Sequence, residues 1–241
     1  MNILLLGCSY GVPNYYGKPG DPPETHLQLL LEKVGHTVYN LSQNGSSNFN
    51  MINKANSFLD GNEVDGVLGH SDPDPEGYVV ARRIKKPEDF SIDLIIWFHT
   101  SVLRDHRQGQ GTMSEQIQHL SHSTYEKIFM IRKRLNLPPI IAIGGTAPLL
   151  DFYHEYGGTL LLVKNWIENI LQESIPQNQL FGAINRASEM QDDPDIMSKY
   201  LKDAEDIVQK VHESSKFPDG GHPGAEAHLE LFRLIEPHLQ P

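Results

Sequence analysis

Two groups of residues, at opposite ends of the chain, have the types and spacing that nucleophilic catalysis needs. The first is Ser9, which follows the apolar run at 3–6 in the stretch GCSYG and has glycines two positions before and after it. The second is FPDGGHPG, where Asp219 precedes His222 by three residues and Pro223 follows. A serine hydroxyl becomes an effective nucleophile when a histidine takes its proton and a carboxylate orients that histidine.

The sequence around His222 predicts a histidine that is able to act as a base. Pro223 favours the first position of a helix, which places His222 at the helix cap. There the helix dipole disfavours the imidazolium and keeps the ring able to accept a proton. Asp219 acts in the opposite sense, because it orients the ring and stabilises the cation once it has formed. Taken alone, the turn around Ser9 indicates no more than an ordinary turn serine. The Asp219 and His222 motif is equally compatible with a plain capped turn.

Short apolar segments alternating with amphipathic helices must position these groups. Such alternation predicts βαβ units and hence a mostly parallel sheet with helices on both faces. Ligands of these sheets bind beyond the carboxyl ends of the strands. Strands are predicted at 3–6, 37–41, 92–98, 139–143 and, less clearly, 160–163, and helices at 27–34, 48–59, 114–135, 166–170, 195–213 and 223–238.

The order of the motifs resembles that of the SGNH (GDSL-like) hydrolase family over the whole chain. The resemblance implies a flavodoxin-like, three-layer α/β/α sandwich with a five-stranded, mostly parallel sheet. It also implies a serine esterase that cleaves small acyl or O-acetyl esters, with Ser9 as nucleophile, His222 as base and Asp219 as its orienting partner. We expect one domain over 1–241, with insertions at about 61–90 and 102–113 that border the pocket and set acyl size.

The oxyanion hole is where the sequence departs from the family pattern. The resemblance assigns one donor to the backbone N–H of Ser9 and a second to a backbone N–H after the second strand, from Gly45 or Asn48. The family asparagine after the third strand is missing, because this strand ends FHTS. Thr100 or Ser101 offers a hydroxyl in its place, or an asparagine side chain of the second turn reaches in.

Cys8, the only cysteine, stands beside Ser9 where the family usually carries an aspartate. One cysteine excludes internal disulfides and any multi-cysteine metal site. A thiol next to a buried strand is expected to be a small packing residue, unless its pKa is depressed. The hydroxyl of Ser9, which has a base in His222, is therefore the predicted nucleophile.

Three other functions remain compatible with the same sequence. An acyltransferase would use the same triad to pass the acyl group to another alcohol. The missing third-turn asparagine is compatible with a ligand-binding protein that lacks catalysis on an SGNH scaffold. A flavodoxin-like nucleotide binder would hold phosphate or flavin at the strand ends.

The amino-acid composition argues for a small molecule as the partner of this chain. The formal net charge of −11 argues against nucleic acid and against anionic membranes, since both need a cationic surface. The chain has neither the ~20 consecutive apolar residues of a membrane span nor the basic amino-terminal region of a signal peptide. We expect a cytoplasmic protein that acts on a small-molecule ester and needs no cofactor.

No metal site is predicted, although two groups of residues have the side chains of metal ligands. The acidic stretch with His70, Asp72 and Asp74 lacks the full calcium-loop spacing. His119 and His122 lie three apart on a predicted helix without a third ligand. A phosphate-binding turn at Gly144-Gly145-Thr146 is not predicted either, because the glycine spacing of a nucleotide fingerprint is absent.

Overall fold

The structure is a computed structural model of the chain, and it describes the elements that form the sheet and the helices packed on it. For 113–118 it describes the backbone only. The described residues are 1–8, 11, 26–43, 46–68, 82–100, 113–144, 157–172, 209–210, 213–216 and 223–239.

The apolar run at the amino terminus forms a central strand. Ile3 and Leu5 belong to the core on one face of the sheet, while Leu4 and Leu6 belong to the core on the other. All four side chains are fully buried. A strand that is covered on both faces needs apolar residues at successive positions, which is why this segment is continuous and does not alternate.

Within the described residues the sheet has seven strands, in the spatial order β4-β3-β2-β1-β5-β6-β7. Five of them, β2-β1-β5-β6-β7, pair in parallel, as the sequence predicts. The strands are β1 (Asn2–Leu6), β2 (Thr37–Asn40), β3 (Val64–Leu68), β4 (Arg82–Ile84), β5 (Leu94–His99), β6 (Ile140–Gly144) and β7 (Thr159–Val163).

Helices cover both faces of this sheet. α1, α4 and α5 pack on the face that contains Ile3 and Leu5, while α2 and α3 pack on the opposite face. The predicted three-layer α/β/α sandwich is therefore confirmed. The helices are α1 (Leu27–Lys33), α2 (Asn48–Leu59), α3 (Met113–Arg134), α4 (Trp166–Leu171) and α5 (Ala225–Ile235), the last followed by a 3₁₀ turn (Glu236–His238).

Two strands lie in the segment that the sequence marks as an insertion at 61–90. β3 pairs antiparallel with β2, with Tyr39 opposite Leu68, and β4 pairs antiparallel with β3, with Val64 opposite Ile84. The sheet is thereby extended beyond β2 by two antiparallel strands. Of the second predicted insertion, 102–113, only position 113 lies in the described part of the chain.

Candidate active site

Three neighbouring strands end at one edge of the sheet. β1 lies between β2 and β5 and runs parallel to both. Their carboxyl ends therefore meet at the edge where parallel α/β sheets bind ligands. Gly7 and Cys8 follow β1, Leu41 follows β2 and Thr100 follows β5. The structure thus brings the residues after these strands together, as the sequence predicts.

Backbone hydrogen bonds hold the described residues that flank the Ser9 position. The Gly11 N–H donates to the Cys8 carbonyl oxygen at 3.0 Å, and the Gln43 N–H donates to the Gly7 carbonyl oxygen at 3.2 Å. Gly7 lies so close to β5 that a Cβ atom at this position would be 2.8 Å from the Cβ of Phe98. Glycine is required here because a side chain would force β1 and β5 apart.

Cys8 is a packing residue. It is 1% exposed and belongs to the apolar core that also contains Ile3, Leu5 and Phe98. The prediction that this thiol is a small buried residue is confirmed.

Asn48 and Thr100, which are oxyanion candidates from two different turns, lie in direct contact. The Asn48 side-chain amide donates to the Thr100 carbonyl oxygen at 2.8 Å, and the Thr100 N–H donates to Asn48 Oδ1 at 3.2 Å. Both residues are almost completely buried, with exposures of 0% and 1%. The Asn48 side chain therefore binds the main chain of Thr100.

A helix N-terminus and a buried hydroxyl lie side by side at this junction. Asn48 is the first residue of α2, after the N-cap Ser47, whose hydroxyl accepts from the Asn50 N–H. A backbone N–H at this helical position has no acceptor inside the helix. The Thr100 hydroxyl is buried and has no hydrogen-bond partner in the described part of the chain. The arrangement can therefore present a helix N-terminal amide and a hydroxyl to an anionic oxygen.

The other predicted site residues lie outside the described residues. They are Ser9, Gly45, Ser101, Asp219 and His222. Their roles remain predictions from the sequence.

The last helix begins later than Pro223 predicts. α5 starts at Ala225 with Gly224 as its N-cap, so the prediction that His222 occupies the cap is wrong. The Gly224 N–H donates to the Lys216 carbonyl oxygen at 2.8 Å, which fixes the start of the helix to the preceding segment.

A buried asparagine that the sequence analysis did not single out binds the main chain at this edge. Asn40, the last residue of β2, is 1% exposed and donates its side-chain amide to the Gly11 carbonyl oxygen at 2.7 Å. The available signal in the sequence is a polar residue between the buried Tyr39 and Leu41. Its partner, Gly11, lies far away in the sequence, so the contact itself could not be foreseen.

A pair of buried histidines joins α1 to α5. The ring centroids of His26 and His228 are 4.0 Å apart, and Trp166 packs against His228. His26 Nδ1 accepts from the Gln28 N–H, which makes His26 the N-cap of α1 and places the proton of the neutral ring on Nε2. His26 Nε2 and His228 Nδ1 have no hydrogen-bond partner among the residues described.

We expect this histidine pair to make the protein less stable in acid. Burial, together with His228, lowers the pKa of His26 well below its ordinary value of 6.5, and burial lowers the pKa of His228 to about 3. Below pH 6.5 the unfolded chain binds protons that the native state does not bind, so the free energy of unfolding falls as the pH drops from 6.5 towards 3. Between about pH 7 and about pH 5, a fully titrating histidine contributes about 2 kcal/mol to this loss.

Urea unfolding of the wild type and of His228→Leu at the two pH values measures this contribution. The variant should lose about 2 kcal/mol less than the wild type on acidification. Ile235→Val, a conservative change in the same helix, is the control: it lowers stability by about 1 kcal/mol at both pH values. An equal pH dependence in the wild type and in His228→Leu would contradict the assignment.

Among the residues described, no group of three or more His, Cys, Asp or Glu side chains is arranged to hold a metal ion. His119 and His122 lie on α3, as predicted, whereas His70, Asp72 and Asp74 are not among the described residues. None of the helices in the described ranges is long and apolar enough to cross a bilayer.

Proteins similar to this chain are found among solved structures. No protein-family model and no curated protein matches the chain. The chain is similar to the crystal structure of TesA, with 12% identity, a TM-score of 0.45 and coverage of 100% of this chain and 99% of TesA. It is also similar to the acetyl xylan esterase Est2A from the rumen bacterium Butyrivibrio proteoclasticus, with 11% identity, a TM-score of 0.45 and coverage of 99% of this chain and 64% of Est2A.

Proposed function

We propose that the chain is a serine hydrolase that cleaves small acyl or O-acetyl esters through an acyl-enzyme. The observation that carries the proposal is the hydroxyl of Thr100, which follows the carboxyl end of β5 and is buried without a hydrogen-bond partner among the described residues. β5 is paired directly with β1, the strand that leads to Ser9. A buried hydroxyl without a partner costs about 1–3 kcal/mol, so a bound acceptor at this position would offset that cost.

An oxyanion supplies the missing partner for this hydroxyl. When Ser9 attacks an ester, the carbonyl oxygen takes up negative charge, and donors that already point at it lower the barrier. Thr100 offers its hydroxyl, and the start of α2 offers the Asn48 N–H together with the positive end of the helix dipole. The mutual hydrogen bonds between Asn48 and Thr100 hold both donors in fixed positions before substrate arrives.

The covalent steps follow from the triad that the family resemblance implies. Ser9 Oγ forms a bond to the ester carbonyl carbon while His222 takes the serine proton, with Asp219 orienting the imidazole. Collapse of the tetrahedral intermediate breaks the ester C–O bond, and His222 returns the proton to the leaving alcohol. Water, deprotonated by His222, then attacks the acyl-enzyme and releases the acid and free Ser9.

Hydrolysis of p-nitrophenyl acetate, butyrate and octanoate by the purified wild type tests this function. We expect measurable kcat/KM values that are highest for the short acyl chains. Formation of a new ester when a second alcohol is added would identify acyl transfer by the same site. A folded protein that hydrolyses none of the three esters would contradict the proposal.

Replacing Thr100 by valine should separate catalysis from stability. Valine has the shape of threonine but no donor, and losing one oxyanion donor lowers kcat by about 10²- to 10³-fold. The free energy of unfolding should not fall, because the hydroxyl that is removed has no partner in the described part of the chain. Ester kinetics and urea unfolding on the same preparations measure the two effects.

Two further variants control this experiment. Thr100→Ser keeps the hydroxyl and should retain most of the activity. Thr124→Val makes the same change at a buried threonine of α3 and should leave kcat close to the wild-type value. If Thr100→Val turned over esters at the wild-type rate, the hydroxyl would not be an oxyanion donor.

A further inference from the structure

A chain of buried polar side chains runs from α1 to the residues that flank Ser9. Gln28 Nε2 donates to Glu32 Oε1 at 2.9 Å within α1, and Asn40 Nδ2 donates to Gln28 Oε1 at 2.9 Å. Gln28, Glu32 and Asn40 are 0%, 6% and 1% exposed. Polar groups are expensive to bury, so a connected and hydrogen-bonded series of them indicates a specific structural requirement.

Asn40 makes a hydrogen bond with each polar group that its side chain offers. Nδ2 donates to Gln28 Oε1 and to the Gly11 carbonyl oxygen, at 2.9 Å and 2.7 Å. Oδ1 accepts from the Ser42 N–H at 2.9 Å. The side chain is therefore fixed in one orientation, and its shortest hydrogen bond goes to Gly11.

Gly11 transmits this restraint to the Ser9 position. Its N–H donates to the Cys8 carbonyl oxygen at 3.0 Å, so Asn40, Gly11 and Cys8 form a continuous hydrogen-bonded connection. Cys8 is anchored in the core, and Gly11 leaves no space for a Cβ atom beside Leu5 and Ser42. The residues before and after the dipeptide 9–10 are thus both held from the end of β2.

We infer that Asn40 is a positioning residue for the nucleophile. Resting on the proposed function, the inference adds that Asn40 sets the rate of attack by Ser9 through the carbonyl of Gly11, without touching substrate. A displacement of about 1 Å in a reacting group can cost on the order of 10²-fold in rate. A residue that only stabilised the fold would change the unfolding free energy and leave the kinetics of the folded protein alone.

Asn40→Asp tests the inference with almost no change in shape. The carboxylate still accepts from the Ser42 N–H, but it presents an acceptor to the Gly11 carbonyl oxygen, so the hydrogen bond becomes a repulsion. We expect kcat to fall about 10- to 100-fold with KM within about 3-fold, at a temperature where the variant is folded. The amide hydrogen of Gly11 should also exchange with solvent faster, because its turn is loosened.

The matched control is Asn56→Asp on α2. Asn56 is a half-buried asparagine whose Oδ1 accepts from Arg134, and a carboxylate keeps this acceptor while adding the same charge. This variant should keep the wild-type kcat and the wild-type exchange rate at Gly11. If Asn40→Asp does not fold, Asn40→Ser, which is neutral and too short to reach all three partners, takes its place with the same expectations.

The two measurements separate this inference from the proposed function. Wild-type kcat together with unchanged Gly11 exchange in the folded Asn40 variant would overturn the positioning role while leaving the esterase intact. An inactive wild type would refute the esterase, and faster Gly11 exchange in the variant would then support only the restraint of the turn. Faster exchange with unchanged kcat would show that the restraint does not reach the nucleophile and would overturn the inference.

Discussion

Ser9→Ala is expected to abolish ester hydrolysis, with kcat/KM falling about 10⁴- to 10⁶-fold, because the acyl-enzyme can no longer form. Folding should be retained, since alanine removes one hydroxyl group from a residue flanked by the anchored Cys8 and Gly11. Stopped-time assays with p-nitrophenyl acetate measure the loss, and circular dichroism confirms that the variant is folded.

Cys8→Ala is the control for this experiment, since it changes the neighbouring residue and the only thiol of the chain. Cys8 is buried in the apolar core, so the variant should lose some stability and keep its activity. Iodoacetamide should likewise leave the wild-type activity intact. Loss of activity in Cys8→Ala but not in Ser9→Ala would assign the chemistry to the thiol.

His222→Ala is expected to have the second large effect, a loss of about 10⁵- to 10⁶-fold in kcat/KM, because Ser9 then lacks its base. Asp219→Asn should cost about 10⁴-fold, since the histidine remains but is less well oriented. His119→Ala, a change at an exposed histidine of α3, is the matched control and should retain activity. Esterase kinetics for the three variants measure the order of these effects.

A small effect of His222→Ala would contradict the proposed triad. His228 is a poor substitute as a proton acceptor, because it is buried against His26 and Trp166 and burial lowers its pKa to about 3. A His222→Ala variant with near wild-type kcat/KM would therefore refute the triad and not merely reassign it.

The sequence predicts the parallel part of the fold well because each of its elements carries a local signal. The continuous apolar runs that form β1 and β5 indicate strands buried on both faces. α2 begins at Asn48 and ends at Leu59, at the positions predicted from its apolar periodicity. These signals depend on residues close together in the chain, so they can be recognised without knowledge of tertiary contacts.

The antiparallel extension of the sheet is harder to predict because its partners are distant in sequence. β3 has the sequence VDGVL, in which an aspartate and a glycine interrupt the apolar pattern. Gly66 is needed there because a Cβ atom would meet the Asn40 carbonyl oxygen and the side chain of Ile84. The residue that weakens the strand signal is thus the one that allows three strands to approach each other.

The candidate site shows the same division between local signals and long-range contacts. The order of motifs predicts Thr100 and Asn48 as candidate donors, but not the hydrogen bonds that join them across two turns. Asn40 was missed because its role depends on Gly11 and Gln28, which approach it only in the folded sheet. The start of α5 was misplaced because the Pro223 signal is local, whereas the Gly224 cap is fixed by its hydrogen bond to Lys216.

Mapping the covalent adduct of a fluorophosphonate probe tests the central claim most directly. Such probes react with activated serine nucleophiles, so peptide mass spectrometry of the labelled wild type should place the adduct on Ser9. Ser9→Ala and His222→Ala should remain unlabelled, while Cys8→Ala should be labelled as the wild type is. An adduct on another residue, or no adduct on folded wild-type protein, would contradict the account of this chain as a serine hydrolase.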